Sequence, residues 1–168
     1  MSKLIDTKIV DYKLRFAEEK DVPLILDFIK ELAIYENMLD DVVATEDILK
    51  DSLFNRKAAE VIIGEYKGEA VSFALFFHNF STFLGKPGLY LEDLFVRPEA
   101  RGKGFGKILL TFLANLAKER DCGRFEWSCL DWNEPSIKFY KQMGAKPTED
   151  WTGYRLEGKT LDVVAEEF

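Results

Sequence analysis

The sequence predicts an α/β domain built around a strand, a glycine-rich turn and a helix, and three observations carry that prediction. Leu89 to Val96 is an apolar and aromatic run interrupted only by Glu92 and Asp93; it ends at Arg97-Pro98, where proline removes a ladder donor and biases the preceding residue away from helix. Directly after Arg101-Gly102-Lys103-Gly104-Phe105-Gly106, the residues Ile108, Leu109, Phe112, Leu113 and Leu116 recur at helical spacing. Arg124 to Leu130 then reads as a further strand. The strand, helix, strand unit from Leu89 to Leu130 should place its strands parallel with a right-handed crossover. Ligands in such sheets bind beyond the carboxyl ends of the strands, beside the first turn of the crossover helix, which is where the glycine turn falls.

The other elements follow in chain order. Residues 1 to 11 have no strong period and read as an irregular start, and Tyr12 to Ala17 alternates apolar with basic residues as a half-buried strand does. Asp21 can cap a helix near Pro23, with Leu24, Ile25, Phe28, Ile29 and Leu32 as its apolar stripe and an end near Tyr35-Glu36. Asn37 to Val43 is a loop carrying Asp40 and Asp41, and Thr45 starts a second helix, with acids in its first turn, that runs to about Phe54. Glu60 to Tyr66 and Ala70 to Phe77 are strands joined at Lys67-Gly68, and Asn79 to Gly88 is a loop. The helix after the glycines ends between Arg120 and Gly123, a last helix runs from Asn133 to about Met143 before Gly144, and residues 151 to 158 are expected to form a final strand.

Composition narrows the function classes. The 168 residues suit one domain with a sizeable core, and 47% hydrophobic with 14% aromatic residues argues against disorder. A formal charge of -7 argues against nucleic acid as the main partner, since such binders carry a basic face, and is compatible with a cationic ligand. His78 is the only histidine, and Cys122 and Cys129 have no metal-type spacing, so no metal is expected. Neither a signal-peptide pattern nor a membrane-length apolar run is present, which makes a reduced cytoplasm the expected compartment.

A helix start after a glycine turn is an anion site, because its first amides have no partners within the helix and the dipole adds positive charge. Two phosphate-loop templates fail here. A dinucleotide fingerprint counted from Gly102 or Gly104 ends on Lys107 or Leu109, and a Walker A loop would need glycine at Arg101 and Ser or Thr at Ile108. What remains, Arg101-Gly102-x-Gly104-x-Gly106 after a strand ending in Val-x-Pro, resembles the pyrophosphate loop of the GNAT superfamily of N-acetyltransferases. Asn133-x-x-Ser136-x-x-Phe139-Tyr140, on the helix after the next strand, resembles the second signature of that superfamily. Lys30-Glu31-Leu32-Ala33, Tyr35-Glu36, Tyr90-Leu91-Glu92-Asp93 and Trp132-Asn133-Glu134-Pro135-Ser136 extend the likeness over nearly the whole chain, to the branch of spermidine/spermine and thialysine N-acetyltransferases.

The resemblance implies one acetyltransferase domain over residues 1–168, with a mixed, mostly antiparallel sheet that has one parallel strand pair and is flanked by helices. It implies acetyl-CoA as co-substrate, a small cationic amine as acceptor and a homodimer. By the same resemblance, Leu94, Phe95 and Val96 would pair with the pantetheine arm. Arg101, Gly102, Lys103, Gly104, Phe105, Gly106 and Lys107 would cradle the pyrophosphate. Asn133, Ser136 and Tyr140 would complete that site, while Tyr35, Glu36, Glu92 and Asp93 would line the amine site. Thr152 departs from the pattern, since polyamine-acetylating members carry an acid at that position, and this favours a shorter diamine, thialysine or another small amine.

The residues themselves support a chemistry of that kind. If no bulge intervenes, alternation puts Glu92, Leu94 and Val96 on one face of their strand and Leu91, Asp93 and Phe95 on the other, so at least one carboxylate is pushed inward, where burial without a partner is costly. The mechanism that the resemblance implies is direct attack: Glu92 accepts the ammonium proton, directly or through water, backbone amides near Leu94 to Val96 polarise the thioester carbonyl, and Tyr140 protonates the departing thiolate. Cys122 and Cys129 have no activating base nearby in sequence and are expected to be structural. Two rivals remain at this stage, an acetyl-CoA-sensing module without turnover and a protein or peptide N-acetyltransferase.

Overall fold

Among the described residues, six strands form one sheet in chain order: β1 (Ile5–Asp6), β2 (Tyr12–Phe16), β3 (Glu60–Tyr66), β4 (Glu69–Ser81), β5 (Lys86–Val96) and β6 (Arg124–Trp127). Neighbouring strands are antiparallel except β5 and β6, which are parallel and joined through helix α3 (Phe105–Glu119). This is the mixed, mostly antiparallel sheet with one parallel pair that was expected. The computed structural model describes residues 2–168 and divides into two units, one ending at Ser128 and containing the sheet, the other running from Cys129 to Phe168.

Register assigns the two faces of the sheet. Tyr12, Ser72, Ala74, Leu94 and Val96 share one face, on which Tyr12 stacks on Phe105 of α3 at 4.0 Å and shares a 2.8 Å hydrogen bond with Ser72. Gly64 lies beneath that tyrosine, where any Cβ would come within 2.2 Å of the Tyr12 and Ser72 oxygens. The opposite face, with Val61, Ile63, Phe73 and Phe95, is covered by α1 (Val22–Glu36) and α2 (Glu46–Lys50) together with the π-turn that continues α2 over Asp51–Asn55. Phe28 of α1 stacks on Phe73 at 5.1 Å with both rings fully buried. Burying each such ring contributes about 2–3 kcal/mol, so this layer holds α1 against the centre of the sheet.

Several boundaries differ from expectation. Residues 5 and 6 pair with β2, inside the stretch read as irregular. The β4–β5 ladder continues through Asn79, Phe80 and Ser81 opposite Gly88, Pro87 and Lys86, so most of the predicted loop is a long hairpin. Asp21 precedes α1, but its carboxylate accepts from Arg15 at 2.6 and 2.9 Å and from the Glu18 amide at 2.7 Å instead of capping that helix. In the second unit α4 spans Glu134–Gln142, close to expectation, whereas residues 151–157 join no ladder and are followed by α5 (Gly158–Ala165). Alternation is a local signal, and a strand also needs an edge to bond to.

Candidate active site

The expected alternation along β5 fails at one residue. Leu91 pairs with Phe76 and Asp93 pairs with Leu75, leaving Glu92 as an extra residue with no opposite number, a β-bulge. Leu91 therefore belongs to the α3 face, while Asp93 joins Phe95 on the α1 face. The parallel partner stops at the same place, for β6 follows β5 only from Gly88 to Leu91. This is why β6 ends at Trp127 instead of the expected Leu130.

Beyond the bulge, β5 is bonded on one side. The Arg97 amide donates to the Val71 carbonyl at 2.9 Å, and in an antiparallel ladder bonded and non-bonded pairs alternate. Phe95 and Asp93 accordingly turn their backbone groups to β4, and Leu94 and Val96 turn theirs to the side where β6 has ended. Of the three residues expected to meet a pantetheine arm, Leu94 and Val96 thus have backbone groups turned away from β4, while Phe95 contributes a buried ring to the α1 layer. The Val96 carbonyl already accepts from Arg101 Nε at 2.9 Å.

Three carboxylates gather at the start of this free edge. Burial, with the charges of Glu92 and Glu36 acting in the same direction, raises the Asp93 pKa to about 6. Burial also raises Glu36, at the last turn of α1, above the usual carboxylate range. Glu92 itself is exposed. Tyr35 precedes Glu36, and the Arg101 guanidinium lies 4.8 Å from the centre of its ring and 5.4 Å from that of Phe95. The four residues expected at an amine site, Tyr35, Glu36, Glu92 and Asp93, are thereby brought to the meeting of α1 with the bulge.

The other end of the edge is the glycine turn. Gly102 and Gly104 take φ values of +77° and +84°, and Gly104 caps α3 in the left-handed conformation, which side chains disfavour by about 1–2 kcal/mol. The first α3 amide bonded in helical fashion is that of Ile108, to Gly104, so the amides of Phe105, Gly106 and Lys107 have no partner within the helix, the arrangement that suits an anion. A Cβ on Gly106 would touch the side chains of Leu94 and Val96 at 3.7 and 3.8 Å, so this glycine leaves a cradle between the helix start and the free edge. These donors and that space fit a pyrophosphate with an extended arm running along β5. The Phe105 ring is turned away into the Tyr12 stack, so its contribution to such a cradle is its amide. Lys103 donates to the Glu99 carbonyl at 3.2 Å, and Lys107 is exposed.

In the second unit, Asn133 is buried and caps α4, its side-chain oxygen accepting from the Ser136 amide at 3.4 Å. Tyr140 lies on the same helix. Burial and the neighbouring Cys129 raise its pKa to about 12, so across neutral pH the hydroxyl keeps its proton and can donate it.

Sequence reasoning missed Arg97. Its guanidinium donates to Glu31 of α1 at 2.8 Å and to the Ala70 carbonyl at 3.0 Å, and stacks over Phe28 at 4.7 Å, tying the end of β5 to α1. An arginine before a proline reads locally as a turn residue, and only its pairing with Glu31 across 66 positions shows the tie. Among the described residues no cluster of His, Cys, Asp and Glu could hold a metal ion, and no helix is long and apolar enough to cross a membrane.

With this geometry in hand, comparison with known proteins is informative. The model of the acetyltransferase (GNAT) family matches residues 28–145. The chain is 34% identical to thialysine N-epsilon-acetyltransferase of Sus scrofa, over 90% of this chain and 96% of that protein. It is 31% identical to L-ornithine N5-acetyltransferase of Arabidopsis thaliana, over 90% of this chain and 87% of that one. Among solved structures, an integron cassette protein from the mobile metagenome of V. cholerae superposes with a TM-score of 0.78 at 27% identity, covering 94% of this chain and 99% of its own.

Proposed function

Because the chain belongs to the acetyltransferase (GNAT) family, whose co-substrate is acetyl-CoA, we propose that it acetylates a primary amine of a small cationic substrate by direct attack. The observation that carries this reading is the one-sided edge of β5, which has three carboxylates at its start and a helix N-terminus at its end. Acetyl-CoA supplies the activated acetyl thioester when bound. The amides of Phe105, Gly106 and Lys107 would hold its pyrophosphate, and the backbone of Leu94 and Val96 would hold the arm and polarise the thioester carbonyl.

A primary amine is almost wholly protonated at neutral pH, since its pKa is near 10, and an ammonium cannot attack. Glu36, Asp93 and Glu92 attract the cation, and Glu92, the exposed member, accepts its proton through water. Tyr140 protonates the departing thiolate, and Asn133 and Ser136 hold the start of the helix that carries it. Thr152 and the substrates named for the two relatives favour a diamine or an amino acid bearing a side-chain amine over a long polyamine.

We further propose that the whole chain acts as one acetyltransferase domain in the cytoplasm, where Cys122 and Cys129, which form no disulfide, stay reduced. A homodimer is supported by the apolar side chains exposed on the C-terminal tail, Trp151 at 79% and Tyr154 at 96% among them. Sedimentation of the full chain as a monomer would remove that part.

The direct test measures coenzyme A released from acetyl-CoA with putrescine, spermidine, thialysine, ornithine, lysine and peptides as acceptors. Turnover with the small amines is expected; peptides alone as acceptors would point to a protein N-acetyltransferase, and silence with all of them to a sensing module. The Tyr140→Phe variant should lose about 100-fold in kcat at unchanged amine KM.

A further inference from the structure

Arg101 occupies the arginine position of the glycine signature, which on the family pattern is part of the pyrophosphate cradle. Its contacts lie elsewhere. Nε donates to the Val96 carbonyl, and the guanidinium packs over the rings of Tyr35 and Phe95. One side chain thus joins three parts of the site: the last carbonyl of the one-sided edge of β5, the tyrosine beside the amine-site carboxylates, and the loop that opens α3.

We propose that Arg101 is a positioning residue, which fixes the β5 edge and the Tyr35 wall in one arrangement so that thioester and amine are presented together, and that it does not bind the pyrophosphate. The inference rests on the acetyltransferase reading above. Three physical points carry it. By occupying the Val96 carbonyl, Arg101 leaves the Val96 amide and both backbone groups of Leu94 as the groups this edge offers to an arm, which sets the register of whatever pairs there. A guanidinium is planar, so it can donate in its plane while its face lies on an aromatic ring; an ammonium cannot do both. Tyr35 is exposed at 38%, and at the surface a cation over its ring restricts where the ring can stand.

The two roles separate when the cofactor is shortened. S-acetylpantetheine carries the thioester and the arm but no pyrophosphate or nucleotide. If Arg101 positions the edge, Arg101→Gln lowers kcat/KM by about tenfold with acetyl-CoA and by the same factor with S-acetylpantetheine. Arg101→Lys then fails to restore it, because a lysine keeps the charge but cannot make both contacts. Tyr35→Leu should lower kcat/KM for the amine, and adding it to Arg101→Gln should cost less than the product of the two single effects. A loss confined to acetyl-CoA, rescue by Arg101→Lys, or strictly multiplicative effects of Arg101→Gln and Tyr35→Leu would overturn the proposal. Failure of the wild-type protein to acetylate any amine would instead sink the enzymatic reading. In that case the same variants are compared by calorimetry for binding of acetyl-CoA and of S-acetylpantetheine, where an equal loss supports the positioning role and a loss with acetyl-CoA alone overturns it. Arg101 is exposed, so the variants should fold, and unchanged melting temperatures verify it.

Discussion

From Lys86 to Leu91, β5 is bonded on both sides, to β4 throughout and to β6 from Gly88; from Glu92 to Val96 it keeps β4 and faces no strand on the other side. Gly88, Leu89 and Leu91 in the first half are buried, whereas Glu92 is exposed and Asp93, Leu94 and Val96 are only partly covered. Chain direction and one neighbour are common to both halves, so the difference comes from the single extra residue at the bulge and the end of β6 beside it. A structural strand becomes a binding edge when its second partner is withdrawn, because backbone donors and acceptors committed to the sheet are then left for a ligand.

The most severe way to break this contrast is to delete Glu92. Leu91 and Asp93 would then be consecutive opposite Phe76 and Leu75, with every other residue kept on its face, so the ladder is healed. Turnover should fall by more than about 1000-fold, since the carboxylate goes and the edge closes toward β6, while the melting temperature should hold. Circular dichroism and the coenzyme A release assay measure the two sides; retained turnover would mean that the bulge is not what opens the site.

Glu92→Gln keeps the bulge and removes only the charge. Here kcat/KM for the amine should drop by about 100-fold at neutral pH, with the acetyl-CoA KM unchanged. An unaltered kcat/KM would take Glu92 out of proton transfer.

Asp93 sharpens the comparison through stability. Its folded pKa of about 6 lies above the ordinary value of 3.8, so between these pH values the folded chain holds the proton more tightly than the unfolded one. Stability therefore falls as pH rises through that window, and the full cost is present above about pH 6. Asp93→Asn should stabilise the fold by about 3 kcal/mol at pH 8, and the gain should vanish below pH 4, as read from urea denaturation. A gain independent of pH would assign the effect to packing.

The smallest effect is expected at the glycine end. Gly104→Ala places a side chain at a φ of +84°, which should cost about 1 kcal/mol of stability and raise the acetyl-CoA KM a few-fold with the amine KM unchanged. Equal changes in both KM values would mean that the two ends of the edge are not separable.

Much of the fold was legible because its signals are local. The buried run before Arg97-Pro98, the helical spacing from Ile108 to Leu116, the Lys67-Gly68 hairpin and the Asn133 cap each lie within a few residues, and each appears in the structure where it was read. The candidate site was legible as a set of residues by family resemblance, and Glu36, Glu92 and Asp93 do come together. What alternation could not foresee was that Leu91 and Asp93 lie on opposite faces, or that residues 151–158 form no strand. Both depend on a partner strand far away in the chain.

By itself, then, the sequence determined most of the strands and helices, where the glycine turn opens α3, and which residues carry charge near the end of α1 and along β5. Only the tertiary structure decided that Glu92 is the bulge, that β6 stops opposite Leu91, that Asp93 is half-buried beside two other carboxylates, and that Arg101 turns to Val96 and Tyr35. The reason is the range of the interactions. Propensity, capping and turn chemistry act between neighbours along the chain, while register, desolvation and the reach of an arginine depend on what folding brings alongside.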